Sequence, residues 1–170
     1  MATVALGTLD TPIGTLTIAA SGGRVCLVHF GADDERVRAM LRGWYPDSAV
    51  QDDDDPAGAA TVLERYFRGD LDSLDSLDVE LHGTPFQQRV WLALRSVNAG
   101  TTMSYGELAR RVGAPAAVRA VGAANGANPV AIVLPCHRII GSNGSLTGYG
   151  GGLERKGWLL EHEGVARTLF

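Results

Sequence analysis

Short apolar runs separated by turn residues occupy the first 30 positions, after which the apolar spacing changes. The runs 3–9, 14–20 and 25–30 are divided by turns that carry proline or glycine. This pattern favours an antiparallel meander of three strands. Apolar residues then recur three or four positions apart over 33–43 and again after Pro56, and this spacing predicts a helix in each place.

From residue 84 onward the helical spacing dominates. Thr84 has the type of side chain that caps a helix, and Pro85 with apolar residues at helical spacing follows it. Ser104 opens a capping-box pattern ahead of a helix that Gly113 can end. A further helix is predicted over 116–127. Two short helices joined by a tight turn make a candidate helix-turn-helix.

A stretch of repeated leucine and aspartate at 70–78 lies between these two regions and is interpreted as a surface connection. We therefore predict two domains, 1–78 and 79–170. The fold class is α+β, with an antiparallel N-terminal sheet that carries helices and a mostly helical C-terminal domain that contains the helix-turn-helix. The run of four aspartates at 52–55 is interpreted as a solvated loop in preference to a metal site.

Charge is distributed unevenly along the chain. The formal net charge is -4, but residues 1–80 contain six arginines against 15 acidic residues, whereas residues 81–170 contain nine basic residues against four acidic ones. A basic half is a hint of a polyanion partner, although two differently solvated surfaces explain it as well. No apolar run approaches the roughly 20 residues of a membrane span. The N-terminus lacks the pattern of a secretory signal and the two cysteines favour reduced thiols, so we expect a cytoplasmic protein without membrane association.

The most informative segment is Leu134-Pro135-Cys136-His137-Arg138, which follows the apolar run 130–133. We expect a buried strand over 130–133 that brings the cysteine to the point where the chain leaves the core. Cationic or imidazole neighbours lower the pKa of a thiol, and the thiolate is the nucleophile, so this placement suits a reactive cysteine. A small apolar residue that closes a strand is the alternative interpretation. Neighbours on a strand face opposite sides, so a relay between Cys136 and His137 needs a water or a turn.

The helix predicted at 116–127 is almost free of polar side chains apart from Arg119 and Asn125. Helices that read the major groove normally carry several long hydrogen-bonding side chains. This helix can bring its backbone close to DNA with Arg119 as its single long probe, or it can pack tightly in the core with Arg119 at the surface. The residues alone leave both interpretations open.

Together these features resemble the O6-alkylguanine-DNA alkyltransferases, also called methylated-DNA–protein-cysteine methyltransferases. The similarity extends from residue 84 to residue 164, with a weaker match at 9–14 in the N-terminal part. The matching motifs occur in the family's order: Phe86-Gln87-Gln88, Ser104-Tyr105, Arg119-Ala120-Val121-Gly122, Asn128-Pro129-Val130, Pro135-Cys136-His137-Arg138 and Gly150-Gly151-Gly152-Leu153. The resemblance implies an RNase H-like N-terminal domain and a function in direct-reversal DNA repair.

The resemblance further implies that the alkyl group of O6-alkylguanine passes irreversibly to Cys136 in a single turnover, with O4-alkylthymine as a second candidate lesion. His137 would take the thiol proton through a water, and Glu163 would orient His137. Asn128 would hold the chain around the cysteine. The nucleotide would have to leave the duplex, because a stacked base cannot reach the thiol.

A set of residues that contact DNA or the flipped base is also implied by the resemblance. Arg119 would fill the vacated place in the stack, and Tyr105 would donate to guanine N3. The carbonyls of Cys136 and Ile139 would accept from the exocyclic amine, and the N–H of Gly150 would face O6. The full set is Tyr105, Arg119, Arg138, Ile139, Tyr149 and Gly150. The implied partner is double-stranded DNA that contains O6-alkylguanine, bound by a monomer, with cooperative binding left open.

The chain departs from the family pattern in two informative places. Some members bind zinc through N-terminal cysteine and histidine residues, but Cys26 is the one cysteine of that half, so neither a metal nor a cofactor is expected. Members that accept benzyl groups can carry proline at the position of Ala131, which leaves the range of alkyl sizes open. Two other function classes compete. A non-catalytic lesion-binding module would have tryptophan in place of Cys136, and a Cys-His hydrolase unrelated to DNA would turn over repeatedly.

Overall fold

The computed structural model describes residues 2–146 and 148–166, and the elements named below lie in these ranges. In chain order they are β1 (Thr3–Thr11), β2 (Gly14–Ser21), β3 (Arg24–Phe30), α1 (Glu35–Trp44), β4 (Ala49–Asp52), α2 (Ala59–Phe67), α3 (Pro85–Leu94), β5 (Met103–Ser104), α4 (Tyr105–Arg111), α5 (Val118–Gly126), β6 (Ile139–Ile140) and α6 (Leu153–His162). Short 3₁₀ segments occur at Pro56–Gly58, Leu71–Ser76 and Cys136–Arg138. The chain forms two compact units, one made of the residues up to His82 with Pro129–Val133, the other of Gly83–Asn128 and the residues from Leu134 onward.

The first unit contains a four-stranded mixed sheet in the order β3-β2-β1-β4. β1, β2 and β3 are antiparallel neighbours, which confirms the predicted meander. Val4 and Leu6 of β1 are buried and Ala5 between them is partly exposed, as expected for a strand with one covered face; Leu9 is buried as well. β4 is missing from the sequence-based prediction and runs parallel to β1. Its side chains are mostly exposed, so it has no apolar pattern to reveal it.

The helices of the first unit begin close to the predicted positions. Asp34 caps α1 by accepting a hydrogen bond from the N–H of Val37 at 3.0 Å, which satisfies one of the free donors at a helix start. The segment 70–78 differs from the prediction of a surface strap, because part of it forms a 3₁₀ helix and Leu74 and Leu77 are 3% and 4% exposed. Leu71 is partly buried, and the aspartates of the segment are exposed.

Two segments cover the open edge of the sheet at β3. The N–H of Val25 donates to the carbonyl of Asp78 at 2.9 Å, and the N–H of Val28 donates to the carbonyl of Pro129 at 2.9 Å. Pairing of this kind protects an edge strand from association with other chains. It also explains why 129–133 belongs to the first unit, although the chain around it belongs to the second.

The prediction of a buried strand over 130–133 is wrong. The segment forms isolated bridges only, among them Val130 to Val28, and the chain then turns at Ile132, whose φ is +70°. The N–H of Val133 donates to the carbonyl of Ala131 at 2.8 Å, which closes a γ-turn. Residues 130–133 are all buried, so the apolar run reflects burial of its side chains, while its backbone pairs with β3 only around Val28.

The second unit contains the predicted pair of helices. Ser104 caps α4 by accepting from the N–H of Glu107 at 3.1 Å, and Gly113, with φ +77°, follows the end of α4. α5 begins at Val118, two residues later than predicted. These helices and the turn between them confirm the helix-turn-helix prediction. No helix in the described ranges is long and apolar enough to span a membrane.

Two contacts in the second unit fix the helix pair relative to the segment that carries Cys136. The indole N–H of Trp91 on α3 donates to the carbonyl of Ala124 on α5 at 2.7 Å. β5 pairs in parallel with β6, with Ser104 opposite Ile140. β6 follows directly after the turn that begins at Cys136, and Tyr105, the first residue of α4, follows directly after β5. The pairing of the two strands therefore brings the start of α4 close to this turn.

Candidate active site

Cys136 begins the 3₁₀ segment Cys136–Arg138, which we call the acceptor turn. Pro135 precedes it with φ -80° and ψ +65°, and the N–H of Cys136 donates to the carbonyl of Leu134 at 2.8 Å. This is an inverse γ-turn, which reverses the chain sharply without a regular strand. The reversal places Cys136 and His137 on a tight turn. A turn is one of the two arrangements, with a bridging water, that allow a proton relay between these sequence neighbours.

The Cys136 thiol is held in a nearly closed environment, with the residue 6% exposed. Burial raises the pKa of the thiol, whereas a hydrogen bond from the Asn128 side chain and the charge of Lys156 lower it. Burial has the largest effect, so the resting form is the thiol. A nucleophilic role therefore needs a base to take its proton.

His137 and Glu163 supply a base and its partner. Nε2 of His137 lies 2.8 Å from Oε2 of Glu163, and both side chains are fully buried. Burial lowers the pKa of His137, outweighing the carboxylate beside it, so the imidazole is neutral at pH 7. An ionised carboxylate only accepts hydrogen bonds, so the ring proton is on Nε2 and Nδ1 carries the lone pair. Nδ1 is buried and has no hydrogen-bond partner among the described residues.

Arg138 fixes the other side of the same carboxylate. Nε and Nη2 of Arg138 lie 2.8 Å and 2.9 Å from Oε1 and Oε2 of Glu163, and Nη1 donates to the carbonyl of Val97 at 2.6 Å. Burial alone would raise the pKa of Glu163, but His137 and Arg138 hold it well below its ordinary value. The carboxylate stays ionised and oriented. Arg138, a candidate DNA contact in the sequence, is 6% exposed and uses its donors inside the protein.

Two asparagines, Asn125 in the last turn of α5 and Asn128 just after this helix, donate to carbonyls around Cys136. Nδ2 of Asn128 lies 2.8 Å from the carbonyl oxygen of Leu134. Nδ2 of Asn125 lies 3.4 Å from the carbonyl oxygen of Cys136. Asn128 is thus placed where the resemblance implies it, beside the segment that carries the cysteine. Asn125 has no assigned role in the sequence-based interpretation.

Lys156 is a residue of the site that sequence reasoning missed. It is fully buried on α6, and its Nζ donates to the carbonyl of Ile139 at 2.6 Å. Nζ also lies 5.9 Å from the centre of the Tyr105 ring, within cation–π range. Burial lowers the pKa of Lys156 to about 8. One signal was available: the chain has 15 basic residues and Lys156 is its only lysine.

Tyr105 and Arg119 lie on the two helices of the helix-turn-helix. Tyr105 is half-buried, and a Cβ added to Gly122 on α5 would lie 3.7 Å from its ring. The small residues of α5 therefore let the tyrosine lie close to the helix backbone. Arg119 is exposed near the start of α5. Val121 and Ala124 are buried while Arg119 is exposed, as the interpretation of a packed helix with Arg119 at the surface expects. Contact between this helix and DNA stays a prediction.

The glycine-rich segment ahead of α6 is mostly exposed. Gly150 is exposed and a Cβ added there would meet nothing within 4 Å, whereas Tyr149 is half-buried. The backbone of Gly150 is therefore accessible to a ligand. Thr147, part of the same predicted motif, lies outside the described residues.

No group of three or more metal-ligating side chains occurs within 2–146 and 148–166. Cys26 of β3 is fully buried, and burial raises the pKa of its thiol to about 11. Cys26 is 0% exposed within the apolar core cluster of the first unit, whereas Cys136 is 6% exposed and is followed directly by His137 with its partner Glu163. Cys136 is therefore the cysteine to which the chemistry of a nucleophile can be assigned.

Two family models match this chain. Residues 4–81 match the ribonuclease-like domain of 6-O-methylguanine DNA methyltransferase, and residues 85–165 match the DNA-binding domain of the same family. The methylated-DNA–protein-cysteine methyltransferase of Salmonella typhimurium is 45% identical over 159 residues, which cover 92% of this chain and 93% of the relative. These matches confirm the resemblance seen in the motifs.

Solved structures agree with the sequence matches. The crystal structure of the O6-methylguanine methyltransferase of Mycobacterium tuberculosis superimposes with a TM-score of 0.79 at 44% identity, covering 94% of this chain and 92% of the other. The structure of the Mycobacterium tuberculosis protein in complex with DNA gives a TM-score of 0.76 at 42% identity, with coverage of 95% and 92%. The α+β fold with an N-terminal RNase H-like domain is thereby confirmed.

Proposed function

Because this chain belongs to the 6-O-methylguanine DNA methyltransferase family, we propose that it repairs DNA by direct reversal, transferring the alkyl group from guanine O6 to the sulfur of Cys136. The observation that carries the proposal is the buried set Cys136, His137 and Glu163. A neutral imidazole fixed by an ionised carboxylate, whose second nitrogen has no hydrogen-bond partner in the part of the chain that the structure describes, is suited to take a thiol proton.

The transfer is an in-line displacement at the alkyl carbon. The thiol proton of Cys136 passes through a water to Nδ1 of His137, and Glu163 stabilises the imidazolium that forms. The sulfur–carbon bond forms as the carbon–O6 bond breaks, and the bonding electrons leave with the guanine. The guanine then takes up a proton, for which the Tyr105 hydroxyl near N3 is the proposed donor. The thioether is stable, so each chain reacts once.

The charge of Lys156 assists the step at which negative charge forms. Its buried ammonium lowers the pKa of the Cys136 thiol, opposing the effect of burial. Electrostatic groups that are fixed in advance inside a dry site act strongly on developing charge. Arg138 acts through Glu163 as a positioning residue, since its two hydrogen bonds hold the carboxylate that orients His137.

Access to the thiol requires that the nucleotide leave the duplex. The proposed role of Arg119 is to occupy the vacated place, which its exposure on α5 supports. The carbonyls of Cys136 and Ile139 accept from the exocyclic amine, and the Gly150 N–H donates toward O6. The Ile139 carbonyl already accepts from Lys156 but has a second lone pair. Tyr149 is proposed to line the same base site.

The proposal includes a monomer that acts in the cytoplasm on double-stranded DNA and needs no cofactor. The preferred lesion is O6-alkylguanine, and O4-alkylthymine is the second substrate to test. A lesion-binding module without transfer is not favoured, since it has no use for a thiol with its own base. A hydrolase is not favoured either, since it leaves the helix pair without a role.

The test is the intact mass of the protein after incubation with duplex DNA that contains O6-methylguanine. We expect a gain of one methyl group per chain, located on Cys136 by peptide mapping. Cys136→Ser should gain none, while Cys26→Ala, the matched change at the other cysteine, should react like the wild type. Lesion binding without a mass gain would overturn the proposal, and so would more than one product guanine per chain.

A further inference from the structure

Asn125 is a buried amide of α5 that the proposed transfer does not use. It is 3% exposed, and its Nδ2 lies 3.4 Å from the carbonyl oxygen of Cys136. Its Oδ1 is buried and has no hydrogen-bond partner among the described residues. A buried polar atom that lacks a partner is destabilising, and in native proteins such atoms call for an explanation.

We propose that Asn125 is a positioning residue for base recognition, which aims the Cys136 carbonyl at the exocyclic amine of the flipped guanine. This inference rests on the proposed function. A carbonyl oxygen has two lone pairs, so it can accept from Asn125 and from the amine at once. The distance of 3.4 Å is long for a hydrogen bond. Asn125 therefore orients this carbonyl without competing strongly with the base.

The neighbouring amide has a separate task. Asn128 donates to the carbonyl of Leu134 at 2.8 Å, two residues before the carbonyl that Asn125 contacts. Asn128 fixes the backbone that leads into the acceptor turn, whereas Asn125 orients the Cys136 carbonyl, which is proposed to accept a hydrogen bond from the base. Arg119 lies six positions before Asn125 on the same helix, so the helix that meets DNA also sets the direction of the reading carbonyl.

The test compares two substrates that differ only in the amine. O6-methylguanine and O6-methylhypoxanthine are placed in the same duplex, and the second-order rate of methyl transfer to Cys136 is measured for each. Asn125→Leu removes both polar atoms of the amide and keeps the branching and the number of heavy atoms of the side chain. We expect its rate with O6-methylguanine to fall about tenfold, the equivalent of one modest hydrogen bond. Its rate with O6-methylhypoxanthine should stay at the wild-type value.

The ratio of the two rates separates base reading from a structural role. Equal losses on both substrates, or an unchanged rate on both, would overturn the inference. Gln88→Leu, the same exchange at a half-buried amide on α3 that donates to the carbonyl of Gly83, should leave both rates unchanged. If Asn125→Leu does not fold, Asn125→Ser is measured in the same way. A wild-type protein that transfers nothing from O6-methylguanine overturns the proposed function and this inference together, whereas a reactive wild type with an unaltered ratio in the variants overturns the inference alone.

Discussion

Replacing Lys156 by methionine is expected to remove a pH-dependent part of the protein's stability. Lys156 is fully buried, and its Nζ donates to the carbonyl of Ile139 at 2.6 Å. Burial lowers the pKa of Lys156 from its ordinary value of 10.5 to about 8. Below pH 8 both the folded and the unfolded chain carry the charge, and the folded chain bears the full free-energy cost of burying it. Between pH 8 and 10.5 the unfolded chain binds more protons, so the free energy of unfolding rises with pH.

The magnitude follows from the two pKa values. A difference of about 2.5 pKa units corresponds to roughly 3 kcal/mol, and most of it is regained between about pH 8 and pH 10. Lys156→Met has no such dependence. The variant-minus-wild-type difference in the free energy of unfolding should therefore shrink by about 2 kcal/mol over this interval. The lost hydrogen bond to Ile139 changes the difference by a constant amount and leaves its slope untouched.

The assay is urea unfolding at a series of pH values, with both proteins in a Cys136→Ser background so that the coupled thiol does not titrate. Because Lys156 is the only lysine, a ¹³C-lysine-labelled sample gives a single side-chain signal that reports its pKa directly. Arg155→Met removes the neighbouring arginine of the same helix, and its difference from the wild type should be independent of pH.

A Lys156 signal that titrates at or above 10.5, together with a constant stability difference, would refute this reasoning. In the background that retains Cys136, the same replacement should slow methyl transfer. The ammonium lowers the pKa of the Cys136 thiol, so its loss makes the thiol harder to ionise. A variant that is more stable at neutral pH but slower would show that the buried charge is kept for function at the expense of stability.

Three further predictions concern other parts of the molecule. Glu163→Gln should slow transfer strongly and lower the free energy of unfolding by about 3–5 kcal/mol, because it leaves Arg138 buried without its counter-charge. Since the folded-state pKa of Glu163 is lowered, the greater stability of the wild type should be full above about pH 4.3 and decline as the pH falls below it. A stability difference that does not change with pH would contradict this. Arg119→Ala should reduce repair of duplex DNA more than transfer from the free O6-methylguanine base, and equal losses would exclude a role in flipping. Gly7→Ala should destabilise the first unit by about 1–3 kcal/mol in urea unfolding, because the added Cβ would lie 2.0 Å from the carbonyl oxygen of Asp53. Gly43→Ala is the matched control on α1: its added Cβ would meet nothing within 4 Å, so it should not destabilise the unit.

Local sequence patterns were sufficient to predict most of the helices and strands. The capping of α3 by Thr84 and of α4 by Ser104 depends on residues three positions apart, so the pattern in the chain and the hydrogen bond in the structure are the same interaction. The three strands of the meander are likewise bounded by their own turns. The segment around Cys136 was recognisable for a different reason, since the order of its motifs matches a family that the comparisons confirm.

The run 130–133 shows where local reasoning failed. Four consecutive buried apolar residues indicate that the side chains leave water, but a strand and a turn can bury them equally well. The positive φ of Ile132 is an unfavourable conformation for a β-branched residue and is imposed by the surroundings. That turn, with the one at Pro135, sets the path of the chain into the acceptor turn.

Residue types and their order along the chain were enough to recognise the family and to predict a nucleophile, a base and a helix pair for DNA. The chemical state of the site depended on packing between residues far apart in sequence. Arg138 is paired with Glu163, 25 positions away, and Lys156 donates to a carbonyl 17 positions away. Burial decides that the thiol keeps its proton, that the imidazole is neutral and that Glu163 is charged. Each of these follows from desolvation and from nearby charges, which only the folded chain brings together.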